Sequence, residues 1–293
     1  MAYSIGIDFG TGSGRAFLIN TENGEIVEQF IKTYTHGTIE GELDGQKLPQ
    51  SYALQNANDY MEVIEEGIPA ILAKTQIAPN EIVGIGIDFT SSTVVFVDEN
   101  MEPIHNKEGF KDNPHAYVKL WKHHGAQDEA DVLFKTALEE KNRWLGYYGF
   151  NVSSEWMIPK IMEVNNKAPE VIAESAYIME AGDWIVNRLT DQNVRSNCGL
   201  GFKSFWEADT GFHYDLFDKV DNDLSKIVRE KVEAPVVNIG ETVGKVSQTM
   251  AEKLGLSPET QVSPFIIDAH ASLLGIGSER DKEMTMVMGT STC

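Results

Sequence analysis

Apolar, β-prone residues run from Ser4 to Phe9 and again from Arg15 to Asn20, and a third such run spans Glu25 to Thr33. Asn23-Gly24 separates the second and third runs and is a strong hairpin signal, so the opening is predicted to be a β-meander. Residues 36–52 are rich in glycine and polar side chains and read as a loop. A helix is expected to start at Asn56 or Asn58, with Met61, Ile64, Ile68 and Ile71 on one face. Gly67 and Pro69 are expected to kink or interrupt it. The next strand, Val83 to Phe89, contains Ile85-Gly86-Ile87-Asp88-Phe89, the same string as Ile5-Gly6-Ile7-Asp8-Phe9. Two readings stand here: two strand-ending carboxylates in one sheet, or a coincidence of the Ile and Gly usage common in α/β strands. A short apolar run, Val94 to Val97, follows. From Pro114 to about Leu189 the pattern is largely helical, with Trp121, Leu133, Trp144, Trp156 and Trp184 as packing residues. Strands are expected at 235–239 and 262–267, with a helix from Val246 to Leu254 that ends at Gly255. Met284 to Met288 reads as another strand, running into Gly289-Thr290-Ser291-Thr292-Cys293.

A length of 293 residues suits two ordinary domains or one large one, and 42% apolar residues suffice for a sizeable core. No apolar run is long enough to span a bilayer and the start lacks the pattern of a signal peptide, so a cytoplasmic location and no membrane partner are expected. Cys198 and Cys293 form no C-x-x-C pattern and are expected to be reduced thiols. The formal charge of -21 argues against a nucleic-acid partner, which needs a basic face. It does not argue against a nucleotide, because backbone N–H groups and Mg²⁺ hold a triphosphate locally.

Three motifs carry candidate chemistry. Asp8-Phe9-Gly10-Thr11-Gly12-Ser13-Gly14-Arg15 combines glycines and hydroxyls in a tight turn that backbone N–H groups can offer to a phosphate. Asp8, at a strand end, is placed to hold Mg²⁺. The plainer alternative is a glycine-rich hairpin with a solvated Asp. Met288-Gly289-Thr290-Ser291-Thr292 repeats the strand–glycine–hydroxyl pattern. Ile266-Ile267-Asp268-Ala269-His270-Ala271 sets an Asp after a strand, where it can take a proton from a substrate hydroxyl or simply cap a helix. His123 and His124 are adjacent, diverge by about 100° if helical and make a poor metal pair; both are expected to face solvent. His270 could assist Asp268 or make a structural hydrogen bond.

Two strand–loop phosphate motifs around an Asp-Ala resemble the actin, hexokinase and Hsp70 superfamily. Within it, Asp268-Ala269, Gly275, Gly277 and Gly289-Thr290-Ser291 resemble the FGGY carbohydrate kinases. Trp121-Lys122-His123-His124-Gly125-Ala126-Gln127, Ser153 to Lys160, Glu180 to Ile185 and Arg195 to Lys203 are similar to the ribulokinase branch. These strings cover essentially the whole chain and are far more specific than any glycine loop.

The resemblance implies an α/β, ribonuclease H-like domain with a mixed five-stranded sheet over residues 1–277. The start of a second such domain would occupy 278–293. It implies ATP-dependent phosphorylation of a ketopentose, L-ribulose giving L-ribulose 5-phosphate, with xylulose or glycerol as rival substrates and a non-catalytic sugar-binding fragment as the rival of another class. ATP and Mg²⁺ are the implied cofactors, and a homodimer is left open. Asp268 would be the catalytic base. Ser92, Trp121, Lys203 and Asp268 would contact the sugar. Gly10, Thr11, Gly12, Ser13 and Arg15 would form the first phosphate loop and Gly289, Thr290 and Ser291 the second, with Asp8 at the metal. The family's second domain normally completes the nucleotide site, so this chain is expected to be a shortened form that binds sugar weakly and turns over little ATP.

Overall fold

The computed structural model describes residues 1–221, 223–277, 282 and 284–286. The expected meander forms as β1 (Tyr3–Phe9), β2 (Ser13–Asn20) and β3 (Ile26–Thr33), paired antiparallel in sequence order. Gly24 takes a φ of 74° in the second turn, a left-handed backbone that glycine adopts without steric cost.

The repeated pentapeptide is not a coincidence of composition. β1 and the Ile82–Phe89 strand lie parallel and in register, so that Ile5 faces Ile85, Asp8 faces Asp88 and Phe9 faces Phe89. Strand periodicity sends Ile5, Ile7, Phe9 and their copies to one buried face. There the Phe9 and Phe89 rings stack at 4.9 Å, with Tyr60 edge-on to both. The same alternation turns both Asp side chains to the opposite face, at the strands' carboxyl ends.

The sheet is mixed, as expected. Gln261–Val262 and Ile266–Ile267 pair in turn with the Ile82–Phe89 strand, filling one strand position in two pieces. Pro264, which has no N–H to donate, lies in the break. Counting that position once gives five strand positions, and the two-residue Gly244–Lys245 strand adds a further edge. A second, four-stranded sheet joins Val94–Val97 to Tyr177–Glu180 on one side and to Val118–Lys119 and Leu54–Gln55 on the other.

Helix α1 (Asn58–Thr75) packs its Tyr60, Val63, Ile64, Ile68 and Ile71 face on the meander. It runs unbroken through Gly67 and Pro69, contrary to expectation. Gly67 makes room for a neighbour: a Cβ there would stand 2.8 Å from the Phe30 ring. Gly14 does the same beneath the helix, 2.6 Å from Val63.

The 114–189 stretch holds helices Gln127–Glu139, Met157–Lys167, Pro169–Glu174 and Ala181–Thr190, but it begins in turns and the short Val118–Lys119 strand. Trp121 therefore sits in a turn. Loop 36–52 carries a small hairpin, Glu42–Leu43 with Gln46–Lys47, turned by Asp44 and Gly45 at positive φ. Gly255, at φ 71°, ends the Gln248–Leu254 helix as expected. The 235–239 strand shrinks to Val236–Val237. Residues 284–286 are not strand, and Met288 with Gly289, Thr290 and Ser291 lies outside the described residues.

Candidate active site

Three strands end side by side. Ile266 pairs with Asp88 and Ile267 with Phe89, so Asp268 follows at the same sheet edge where Asp8 and Asp88 finish theirs. Carboxyl ends of neighbouring strands are where open α/β sheets bind ligands. The strand leading to Asp268 is locked from below. Phe265 is buried between Gly182 and Gly199, where added Cβ atoms would approach its ring to 2.3 Å and 2.6 Å. Ser196 Oγ donates to the Phe265 carbonyl at 2.6 Å.

The carboxylates feel one another. Burial, then the charge of Asp8 and a hydrogen bond with it, then Asp268, push Asp88 up to about 8, against the pull of Arg15. Burial likewise raises Asp268, with Asp8 adding to the rise, while the Ala269 N–H and Lys203 oppose it. The Ala269 N–H donates to Asp268 Oδ1 at 2.6 Å. Arg15 Nη1 contacts Asp8 Oδ2 at 2.5 Å. Asp88 was legible only as half of a repeat; nothing in its string marked it as a member of the site.

The glycine loop is organised differently from a simple ring of free N–H groups. The Gly10 N–H donates to the Ser13 carbonyl at 3.1 Å, and the Gly12 carbonyl accepts from Tyr34. Gly12 itself faces open space. Thr11 is a junction: its Oγ1 accepts from Trp121 Nε1 at 3.0 Å and its carbonyl from Gln55 Nε2 at 2.8 Å. The first loop and Trp121 are thereby in direct contact.

Ser92 lies in the turn after the Ile82–Phe89 strand, buried, with φ 52° and an Oγ that has no hydrogen-bond partner among the described residues. Lys203 ends the Asn197–Lys203 helix, 3.9 Å from Glu155 Oε2. Its charge reaches both Asp268 and His270. His270 Nδ1 is 3.1 Å from Cys198 Sγ, so it has a structural partner next to Asp268.

His123 does not face solvent. It is fully buried, bonded to Glu163 Oε2 at 2.8 Å, and burial lowers it to about 3. Its alternation with exposed His124 reflects the turn, not a helix. Among the described residues no three His, Cys, Asp or Glu side chains gather to hold a metal ion, and no helix is long and apolar enough to cross a membrane.

The chain resembles known proteins in both sequence and fold. The sequence profile of the FGGY family of carbohydrate kinases, N-terminal domain, matches residues 3–275. The chain is 81% identical over 293 residues to a protein named Ribulokinase 2 from Staphylococcus saprophyticus, covering all of this chain and 54% of that one. It is 71% identical to a Ribulokinase from Staphylococcus aureus strain Newman, with the same coverage. The chain thus spans about half the length of the curated relatives it matches. Among solved structures, a xylulose kinase from Rhodospirillum rubrum superposes with a TM-score of 0.74 at 18% identity, over 95% of this chain and 51% of that one. Plasmodium falciparum glycerol kinase with ADP superposes at 0.72 and 16% identity, over 100% and 53%.

Proposed function

The chain belongs to the FGGY family of carbohydrate kinases, matching its N-terminal domain, and from that premise we propose that it is the sugar-binding half of an ATP-dependent ketopentose kinase acting on L-ribulose. The observation that carries the reading is the convergence of Asp8, Asp88 and Asp268 on one sheet edge, with Asp268 raised from its ordinary value by burial.

A carboxylate raised toward working pH is the stronger base while ionised. In the proposed step Asp268 accepts the proton of the sugar's terminal hydroxyl. The freed oxygen bonds to the γ-phosphorus of ATP as the bond to the bridging oxygen breaks, leaving ADP and L-ribulose 5-phosphate. Phosphoryl transfer needs little covalent help, so positioning and charge carry most of the burden.

This chain's residues divide that work. Lys203 donates to sugar hydroxyls, Trp121 supplies a flat wall, and Ser92 offers a buried hydroxyl without a partner among the described residues. Gly10, Thr11, Gly12, Ser13 and Arg15 form the phosphate loop, with Gly289, Thr290 and Ser291 as the second. A bound Mg²⁺ supplies charge neutralisation, and Asp8 and Asp88 are the residues that would hold it. The fit rests on Asp88: burial first, and then the neighbouring charges of Asp8 and Asp268, raise it, and a hard cation relieves that crowding. Two carboxylates suffice, because Mg²⁺ keeps several waters and takes phosphate oxygens. Residues 1–277 act as the sugar domain and 278–293 open the nucleotide domain. The reading goes with a cytoplasmic setting, in which Cys198 is a free thiol.

The test is a thermal-shift panel with L-ribulose, D-ribulose, D-xylulose, L-arabinose and glycerol in the absence of nucleotide. A ligand that binds only the folded state raises the melting temperature with concentration. A selective rise with L-ribulose supports the reading; a rise with xylulose or glycerol instead, or with none of them, contradicts it.

A further inference from the structure

Lys160 lies in the Met157–Lys167 helix and is fully buried. A buried ammonium is expensive to keep unless its donors are met. Lys160 meets two of them on backbone oxygens: the Ser92 carbonyl at 2.6 Å and the Leu120 carbonyl at 2.8 Å. Among the described residues it forms no ion pair, although Glu180, Glu155 and Glu163 act on it at longer range and Lys203 opposes them. An apolar side chain of similar length would fill the same space without the desolvation penalty. The placement therefore calls for a reason beyond filling the core.

The two carbonyls identify one. Ser92 adopts a left-handed φ of 52°, unfavourable for a residue with a Cβ unless its surroundings impose it. A hydrogen bond to its carbonyl fixes the orientation of that peptide and so holds the turn that carries Oγ, which has no partner among the described residues. Leu120 immediately precedes Trp121, so the second bond fixes the peptide from which the indole projects. That indole reaches Thr11 Oγ1 at 3.0 Å. One side chain thus connects the Ser92 turn to the Trp121 turn, and through Trp121 to the glycine loop. Just ahead of the same helix, Glu155 faces Lys203 at 3.9 Å and His124 at 3.6 Å.

We propose that Lys160 is a positioning residue for the sugar pocket: from beneath, it ties the Ser92 and Trp121 walls together and holds them in register with the phosphate loop. The proposal rests on the sugar-site reading of Ser92 and Trp121, and its test separates the two.

The test replaces Lys160 with methionine, which keeps the length and removes the donors, and compares Leu254→Ala, a core truncation in the Gln248–Leu254 helix, which packs on α1 and the Ala181–Thr190 helix. The chain is labelled with 5-fluorotryptophan, and the Trp121 resonance is identified by its loss in Trp121→Phe. Fluorine NMR reads the wall directly and calorimetry reads L-ribulose affinity. The Lys160→Met variant should shift the Trp121 resonance and weaken sugar binding by about tenfold, as loss of charge-assisted hydrogen bonds implies. Leu254→Ala should lower the melting temperature while leaving both readouts at their wild-type values. Should Lys160→Met not fold, Lys160→Gln, with donors on a shorter arm, is read in the same way. A Trp121 resonance unmoved by the Lys160 substitution, or moved equally by Leu254→Ala, overturns the tie. A moved resonance in a protein whose wild type binds none of the sugars overturns the sugar reading instead, and with it the role given to the tie.

Discussion

Replacing Asp88 with asparagine removes a carboxyl that burial, the charge and hydrogen bond of Asp8, and Asp268 together push up to about 8. In the unfolded chain the same carboxyl ionises near 3.8. Between these values the folded state holds a proton that the unfolded state has released. The stabilising contribution of that proton is fully present below the unfolded value and is lost as the pH rises through the folded one. The slope is at most about 1.4 kcal/mol per pH unit, and the whole span amounts to a few kcal/mol, on the order of a typical domain's margin. Glu180 and Asp183, raised by burial to about 8 and about 7, contribute with the same sign. The informative quantity is therefore the difference between wild type and Asp88→Asn. Asparagine keeps the shape and a donor toward Asp8 but cannot titrate. Urea unfolding from about pH 5 to about pH 8 should show the variant gaining on the wild type as the pH rises. Adding Mg²⁺ should flatten the wild-type dependence and leave the variant's unchanged. Two stability curves that stay parallel across the range would refute the reasoning.

A methyl group at position 182 would meet the Phe265 ring at 2.3 Å, so Gly182→Ala should destabilise the chain by about 1–3 kcal/mol. Thermal unfolding reads that loss, and an unchanged midpoint would mean that Phe265 yields freely. Glu163 is buried with His123 at 2.8 Å and Lys119 at 4.0 Å. Burial opposes its ionisation, yet Lys119, His123 and Lys167 together outweigh that and hold it well below the usual carboxylate range. Glu163→Gln should cost about 3 kcal/mol in urea unfolding by leaving buried Lys119 without its counter-charge.

Much of the fold was legible wherever the hydrophobic period is simple. The period-two runs of the meander and Asn23-Gly24 specify strands and a turn locally, and the C-terminal Gly255 specifies a helix end. The repeated Ile-Gly-Ile-Asp-Phe string went further, since identical patterns bury identical faces and so pair in register. It did not reveal that Asp88 would share a site with Asp268, because that depends on a third strand distant in sequence. Pro69 misled for a similar reason. The helix it sits in is held by its packed face against β2 and β3, and Gly67 beside it serves the Phe30 ring, not a break. The turns around Trp121 and His123 were read as helix because apolar spacing there also suits a chain folded back on the Leu54–Gln55 strand. The partners of His123 and Lys160 come from separate elements, so no local pattern could announce them.

The most direct measurement is phosphoryl transfer in the Asp268→Asn variant, in a chain extended to the length of the curated relatives. L-Ribulose and Mg·ATP are supplied, phosphorus NMR follows the product, and calorimetry follows sugar affinity. The account predicts L-ribulose 5-phosphate from the wild type and a loss of turnover of about a hundredfold or more in the variant, with sugar affinity kept within a few-fold. Turnover retained by Asp268→Asn, or no sugar phosphate from the wild type, would contradict it.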